Sequence, residues 1–177
     1  TIWNEISSLK QGTFLKYSIR DNNVIHEQYW SPFVAERKLS PEGVLESLID
    51  DATSLRMRSD VKLGAFLSGG VDSSLIVQSM SKQKNHIRTF VASIKDALNE
   101  ERYAKIVSDK FKTDHTVLSV EKKVLSRSLL RRIVRSFGQP FADSSIVPTF
   151  LVSKEIAKNV KVAISGDGAD EIFCART

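Results

Sequence analysis

From Val61 onward, short apolar runs of strand character alternate with stretches of helical length, and this alternation restricts the fold more than any other feature of the chain. KLGAFL at 62–67 reads as a strand and SSLIVQSMSKQ at 73–83 as a helix. IRTFVASI at 87–94, EERYAKIVSDKF at 100–111 and DHTVLSV at 114–120 continue as strand, helix and strand. Helices are predicted at about 121–137 and 144–159, and VKVAIS at 160–165 closes the series as a strand. Strands separated by helices join through βαβ crossovers into a parallel sheet with helices on both faces, so the predicted class is α/β. Ligands of such sheets sit beyond the carboxyl ends of the strands, which makes the segments after each strand the place to look for chemistry.

Upstream, TFLKYSI at 13–19 and NVIHEQYW at 23–30 flank the turn-forming Asp21-Asn22-Asn23. They read as a β-hairpin too small to fold alone, the trailing edge of a larger upstream domain. Residues 1–31 are thus expected to form one unit, 32–60 a linker and connecting helix, and 61–177 the α/β domain. In the middle unit Ser40 is placed as an N-cap and Pro41 at the first helical position. Val44, Leu45, Leu48, Ile49, Ala52 and Leu55 then form an apolar stripe at helical spacing, assigned to core packing.

Two strands are followed by a Ser-Gly turn: FLSGGVDSSLIV at 66–77 and VAISGDGADEIF at 162–173. In the first, Gly69 and Gly70 remove side chains where the chain turns, so backbone N–H groups can approach an anion. The helix that follows points its positive end at the same spot, and Ser68, Ser73 and Ser74 add hydroxyls. The nest suits phosphate, yet it is not the G-x-x-x-x-G-K-[ST] loop, because Asp72 stands where a lysine is required. An aspartate there repels phosphate unless a divalent cation lies between them, which reads Asp72 as a Mg²⁺ ligand on a polyphosphate. The competing reading of Asp72 is a helix-capping residue, and that of Asp167 and Asp170 is a complement to a helix dipole.

Composition narrows the partners. The 177 residues carry a formal charge of +5, but Lys and Arg are dispersed; Arg127, Arg131 and Arg135 are read as a solvated helix face rather than a nucleic-acid surface. No stretch is long and apolar enough to cross a bilayer and no secretory signal pattern opens the sequence, so a cytoplasmic location is expected. Cys174 is the only cysteine, which excludes an internal disulfide and a cysteine-rich metal cluster. His26, His86 and His115 are far apart and assigned structural roles.

LSGGVDSS resembles the SGGxDS pyrophosphate loop of the ATP-pyrophosphatase superfamily, whose fold is adenine nucleotide α-hydrolase-like. With SGDGADEIF and QPFADSSIVPTFLVSK in that order, the chain resembles the glutamine-hydrolysing asparagine synthetase family, and the opening TIWNEISSLKQGTFLKY resembles the last strands of that family's glutaminase domain. The resemblance implies that Phe66, Leu67, Ser68, Gly69, Gly70, Asp72 and Ser73 hold ATP, with Ala92 against the base. It implies that Ser165 and Gly166 close over the nucleotide, that Asp167, Asp170 and Glu171 serve the reacting centre, and that Asp72 and Asp170 hold Mg²⁺. The implied reaction joins aspartate and ATP through β-aspartyl-AMP, with glutamine or ammonia as nitrogen donor, in an enzyme that can dimerise.

The sequence departs from the family pattern at Ser93, where a glycine is common, at Asn99-Glu100-Glu101, and at its end, Cys174-Ala175-Arg176-Thr177, where Gly-Gly-Tyr is usual. The family's glutaminase cysteine and a later charge-stabilising lysine have no counterpart, so the chain reads as an internal fragment with little or no synthesis of its own. Three other readings stay open: a β-lactam-forming relative, an ATP-binding module that has lost catalysis, and RNA modification.

Overall fold

The structure is a computed structural model that describes residues 1–31, 43–94, 100–120, 126–140, 143 and 145–173. The expected helix start at Ser40 and Pro41, together with Asn99, residues 121–125 and Cys174, lies outside the described residues. Strands β1 (Thr13–Ser18) and β2 (Asn23–Gln28) pair antiparallel, Ser18 opposite Asn23 and Thr13 opposite Gln28. Asn22 takes a positive φ of 48° at the turn, a conformation asparagine tolerates because its short polar side chain bonds locally. Its Oδ1 accepts from the Tyr17 hydroxyl at 2.6 Å.

After helix α1 (Gly43–Met57) the expected alternation appears: β3 (Leu63–Phe66), α2 (Val71–Gln83), β4 (Arg88–Ile94), α3 (Glu100–Phe111), β5 (Asp114–Val120), α4 (Arg127–Phe137), α5 (Ile146–Ile156), β6 (Val162–Ile164) and α6 (Ala169–Phe173). The four strands form one parallel sheet in the order β5-β4-β3-β6. The chain steps outward from β3 to β4 to β5 and then returns to the other side of β3. The switch point of the sheet therefore lies between β3 and β6, the two strands that precede the Ser-Gly turns. Ala65 pairs with Ile164, so the two strands end side by side.

Strand alternation sends successive side chains to opposite faces, and two cores result. Ala65, Leu67, Val77, Met80, Ile87, Val91 and Ala104 pack between the sheet and α2 and α3. Phe90, Leu118, Ile156 and Val160 pack on the other face beneath α5, joined by Phe66 and Val152. Ser126 caps α4 by accepting from Leu129 N at 3.2 Å, and Gly138 ends that helix at φ 79°.

The apolar stripe of α1 is not core. Val44, Leu45, Leu48 and Leu55 are exposed, as is Ala52, and Ile49 is only half-buried. The helix meets α2 through a mixed face instead: Lys82 bridges Glu46 at 2.6 Å and Asp50 at 2.8 Å, and Gln83 Nε2 donates to the Asp50 carbonyl. Thr53 is buried on this helix, and the stripe faces outward. The helix predicted at 144–159 is shorter, and the strand predicted at 160–165 is reduced to Val162–Ile164. The buried Val160 belongs to the turn, its N–H donating to the Ile156 carbonyl.

Candidate active site

Helix α2 begins without a side-chain cap. Its N-cap is Gly70, at φ −68° and ψ 167°, and no side chain accepts from the first turn. The first N–H groups of a helix have no partner within it, so here they face the loop unclaimed by a cap. Asp72 is not that cap; it lies inside the first turn. The hydroxyls around it hold the loop's own shape. Ser68 Oγ and Ser73 Oγ are 3.0 Å apart, Gly70 N donates to Ser68 Oγ at 3.3 Å, and Ser74 Oγ donates to the Gly70 carbonyl at 2.6 Å. Ser74 thus spends its proton on the loop backbone.

Two close approaches require glycine. Gly69 has a φ of 82°, and a Cβ there would lie 2.4 Å from the Tyr103 carbonyl carbon and 2.6 Å from the Ala104 nitrogen. The loop is therefore seated against the N-terminal half of α3. A Cβ on Gly166 would lie 2.9 Å from Asp72 Cβ and 3.0 Å from Ser73 N, so the two Ser-Gly turns are in contact. In the second turn Ser165 Oγ donates to Asp167 Oδ2 at 3.0 Å, and Asp170 and Glu171 open α6.

The turns share one cavity of about 880 Å³. Phe66, Ser68, Gly70, Asp72, Ser73, Ser165, Gly166, Asp167, Asp170 and Glu171 line it, all of them residues singled out in the sequence. Three others do not. Leu67 is 1% exposed because alternation turns it into the α2–α3 core; Gly69 faces α3, and Ala92 on β4 is half-buried away from the cavity wall. The far wall was not anticipated residue by residue: Asp143 and Ser145 just before α5, Pro148, Thr149 and Val152 along it, and Gly168 from the second turn. Asp143 and Ser145 lie in QPFADSSIVPTFLVSK, quoted for the family resemblance, and Asp-Ser-Ser before an apolar run is also a helix-start signature. Ser145 donates its backbone N–H to Asp143 Oδ1 at 2.8 Å; hydrogen bonds from the Ser145 side chain and backbone hold the Asp143 carboxyl below the usual carboxylate range.

Among the described residues no three His, Cys, Asp or Glu side chains converge to hold a metal by themselves. Mg²⁺ is commonly held by one or two carboxylates together with substrate phosphates. Asp72, in the first turn of α2 and on the cavity wall, has the chemistry of such a ligand.

A parallel sheet with a Ser-Gly-Gly-x-Asp-Ser turn after one strand at its switch point and an acidic Ser-Gly turn after the neighbouring strand defines an α/β protein of the adenine nucleotide α-hydrolase-like kind. Within that class the chain belongs to the asparagine synthase family, whose model matches residues 44–176. It is 34% identical, over 98% of its length, to a putative glutamine-hydrolysing asparagine synthetase 2 of Methanocaldococcus jannaschii, of which it covers 34%. It is 37% identical over 78% of its length to glutamine-hydrolysing asparagine synthetase 1 of Bacillus subtilis, of which it covers 22%. A putative glutamine-hydrolysing asparagine synthetase of Mycobacterium tuberculosis is 29% identical over 98% of the chain, which covers 28% of it. The chain thus spans about a third or less of these curated relatives.

Proposed function

We propose that this chain carries the ATP-binding and carboxylate-activating part of an enzyme that makes asparagine from aspartate, with glutamine or ammonia supplying nitrogen. The carrying observation is that an uncapped helix N-terminus bearing Asp72 and a turn bearing Asp167, Asp170 and Glu171 open into one cavity at the switch point. In this reading the first N–H groups of α2, with Ser68, Gly70 and Ser73, bind the β- and γ-phosphates. Ser165 and Gly166 lie along the nucleotide, and Phe66, Leu67, Gly69 and Ala92 shape the bed of the loop and base. Asp72 and Asp170 would hold Mg²⁺, which when bound neutralises charge on the phosphate oxygens.

The side-chain carboxylate of aspartate attacks the α-phosphorus; a carboxylate–phosphorus bond forms as the bond to pyrophosphate breaks. Ammonia then adds at the acyl carbon of β-aspartyl-AMP, loses a proton and expels AMP. Such chemistry depends on positioning and on stabilising charge, which fixed N–H donors supply without reorganising. Asp167 and Glu171, with Asp143 on the opposite wall, offer anions to the substrate's ammonium group.

The division of the chain belongs to the same proposal. Residues 1–31 are the last strands of a glutaminase domain, 32–60 connect, and 61–177 are the first part of the synthetase domain. The test is exchange of labelled pyrophosphate into ATP by the longer protein that this division implies. Exchange should require aspartate and Mg²⁺ and fall by about 100-fold in Asp72→Asn, the scale on which a charge-stabilising group acts. Exchange that another acid supports equally, or that Asp72→Asn leaves intact, would overturn it.

A further inference from the structure

His115 lies outside the cavity, on β5, yet a chain of hydrogen bonds ties it to the wall on which the phosphate loop rests. Its Nδ1 is 2.9 Å from Thr89 Oγ1 on β4, Thr89 Oγ1 is 2.8 Å from Thr113 Oγ1, and Thr113 Oγ1 donates to Ser108 Oγ on α3 at 3.0 Å. The direction of the chain follows from proton counting, since a hydroxyl has one proton to give. Thr113 gives its proton to Ser108, so Thr89 must give its own to Thr113, and His115 must donate from Nδ1 to Thr89. Nδ1 therefore carries a proton, and the neutral form of the ring is the Nδ1–H tautomer. Its Nε2 is buried and has no hydrogen-bond partner.

Thr89 and Ser108, at 0% and 2% exposure, bury the centre of this chain between the sheet and α3. Ala104, one turn before Ser108 on the same helical face, is itself fully buried. It is also where α3 meets the phosphate loop, because the Tyr103–Ala104 backbone leaves no room for a Cβ on Gly69. The hydroxyl chain seats α3, and the seated α3 is the surface on which the loop turns.

We propose that His115 is a pH-sensing positioning residue for the phosphate loop: the neutral imidazole seats α3 against Gly69, and protonation at Nε2 loosens both together. A proton there creates a charged donor with no acceptor inside a packed layer, the costly kind of buried polar group. The charged neighbours do not rescue it. On α3, Lys105 and Asp109 pair with each other at 2.6 Å, and across the strands Arg88 pairs with Asp114 at 3.6 Å, on the opposite face of the sheet by alternation. Burial, with the nearby Lys105 charge, pulls the imidazole below its ordinary value while Asp109 opposes weakly. The sign follows from linkage: with the folded pKa lowered, the contribution is complete above about pH 6.5 and is lost as pH falls through 6.5 toward the folded value.

The test needs no ligand. Amide shifts of Gly69, Gly70, Ala104 and Ser108 are followed by NMR from pH 7.5 to 5 in the whole chain and in His115→Asn, whose amide can donate from nearly the Nδ1 position but does not titrate. The loop and α3 amides of the wild type should move together, with one midpoint below 6.5, and the midpoint should vanish in His115→Asn. The urea midpoint of the wild type should fall over the same range, by more than that of the variant. His115→Gln, a second non-titrating amide, guards against a variant that does not fold. Movement confined to α3, or the same titration in a folded amide variant as in the wild type, would overturn the proposal.

Discussion

Glycine has two distinct duties in this site, and substitution separates them. At Gly69 a side chain meets both a positive φ and the backbone of α3, so Gly69→Ala should lower unfolding stability by about 3 kcal/mol. Gly168 has a φ of 95° but nothing within 4 Å of an added Cβ, and Gly168→Ala should cost only about 1 kcal/mol, the strain alone. Chemical denaturation of the two variants checks the contrast; equal losses would remove α3 from the account. Thr53 offers a test of the opposite sign. It is 2% exposed and its Oγ1 has no hydrogen-bond partner, so Thr53→Val should leave stability unchanged or raise it by up to about 1 kcal/mol. The pairing of Gly69 and Gly70 was readable in the sequence because few other residues make such a turn. That Gly69 serves packing while Gly70 lines the cavity depends on where α3 lands, and no local pattern encodes that.

At the scale of elements, the proposed site rests on the start of α2. Its start lacks a side-chain cap, a vacancy that a capping residue would fill from within. Gly70→Ser places a hydroxyl at that N-cap and should stabilise the fold by roughly a few tenths of a kcal/mol. The same variant should weaken pyrophosphate binding, measured by calorimetry, because the cap competes for the same N–H groups. The strands and helices around α2 were legible from hydrophobic period, and the parallel order followed from their alternation. Helix α1 shows where that signal stops. Its apolar stripe has the right period, yet the stripe faces outward while Glu46 and Asp50 pair with Lys82 of α2. Period names a face; it does not say what that face meets. The motif QPFADSSIVPTFLVSK does not by itself say which of its residues face the cavity: Pro148, Thr149 and Val152 line it because α5 packs against β5 and β4.

The whole molecule carries more apolar surface than its sheet can cover. On one face of the hairpin Leu15, Tyr17 and Val24 are exposed together, and on α1 Val44, Leu45, Leu48 and Leu55 are exposed. Surfaces of this kind drive association. The chain should therefore show a mass that rises with concentration in sedimentation, and Leu15→Lys with Leu48→Lys should shift it toward the monomer without lowering the unfolding midpoint. At this scale the two turns at one switch point are proposed to form a single Mg²⁺-nucleotide site. Calorimetric titration of ATP into this chain, with and without Mg²⁺ and in Asp72→Asn, tests it most directly. Binding that requires Mg²⁺ and is lost in the folded Asp72→Asn variant is the result predicted. Folded chain that binds no ATP, or binds it equally without Mg²⁺ and without the Asp72 carboxylate, would rule out such a site.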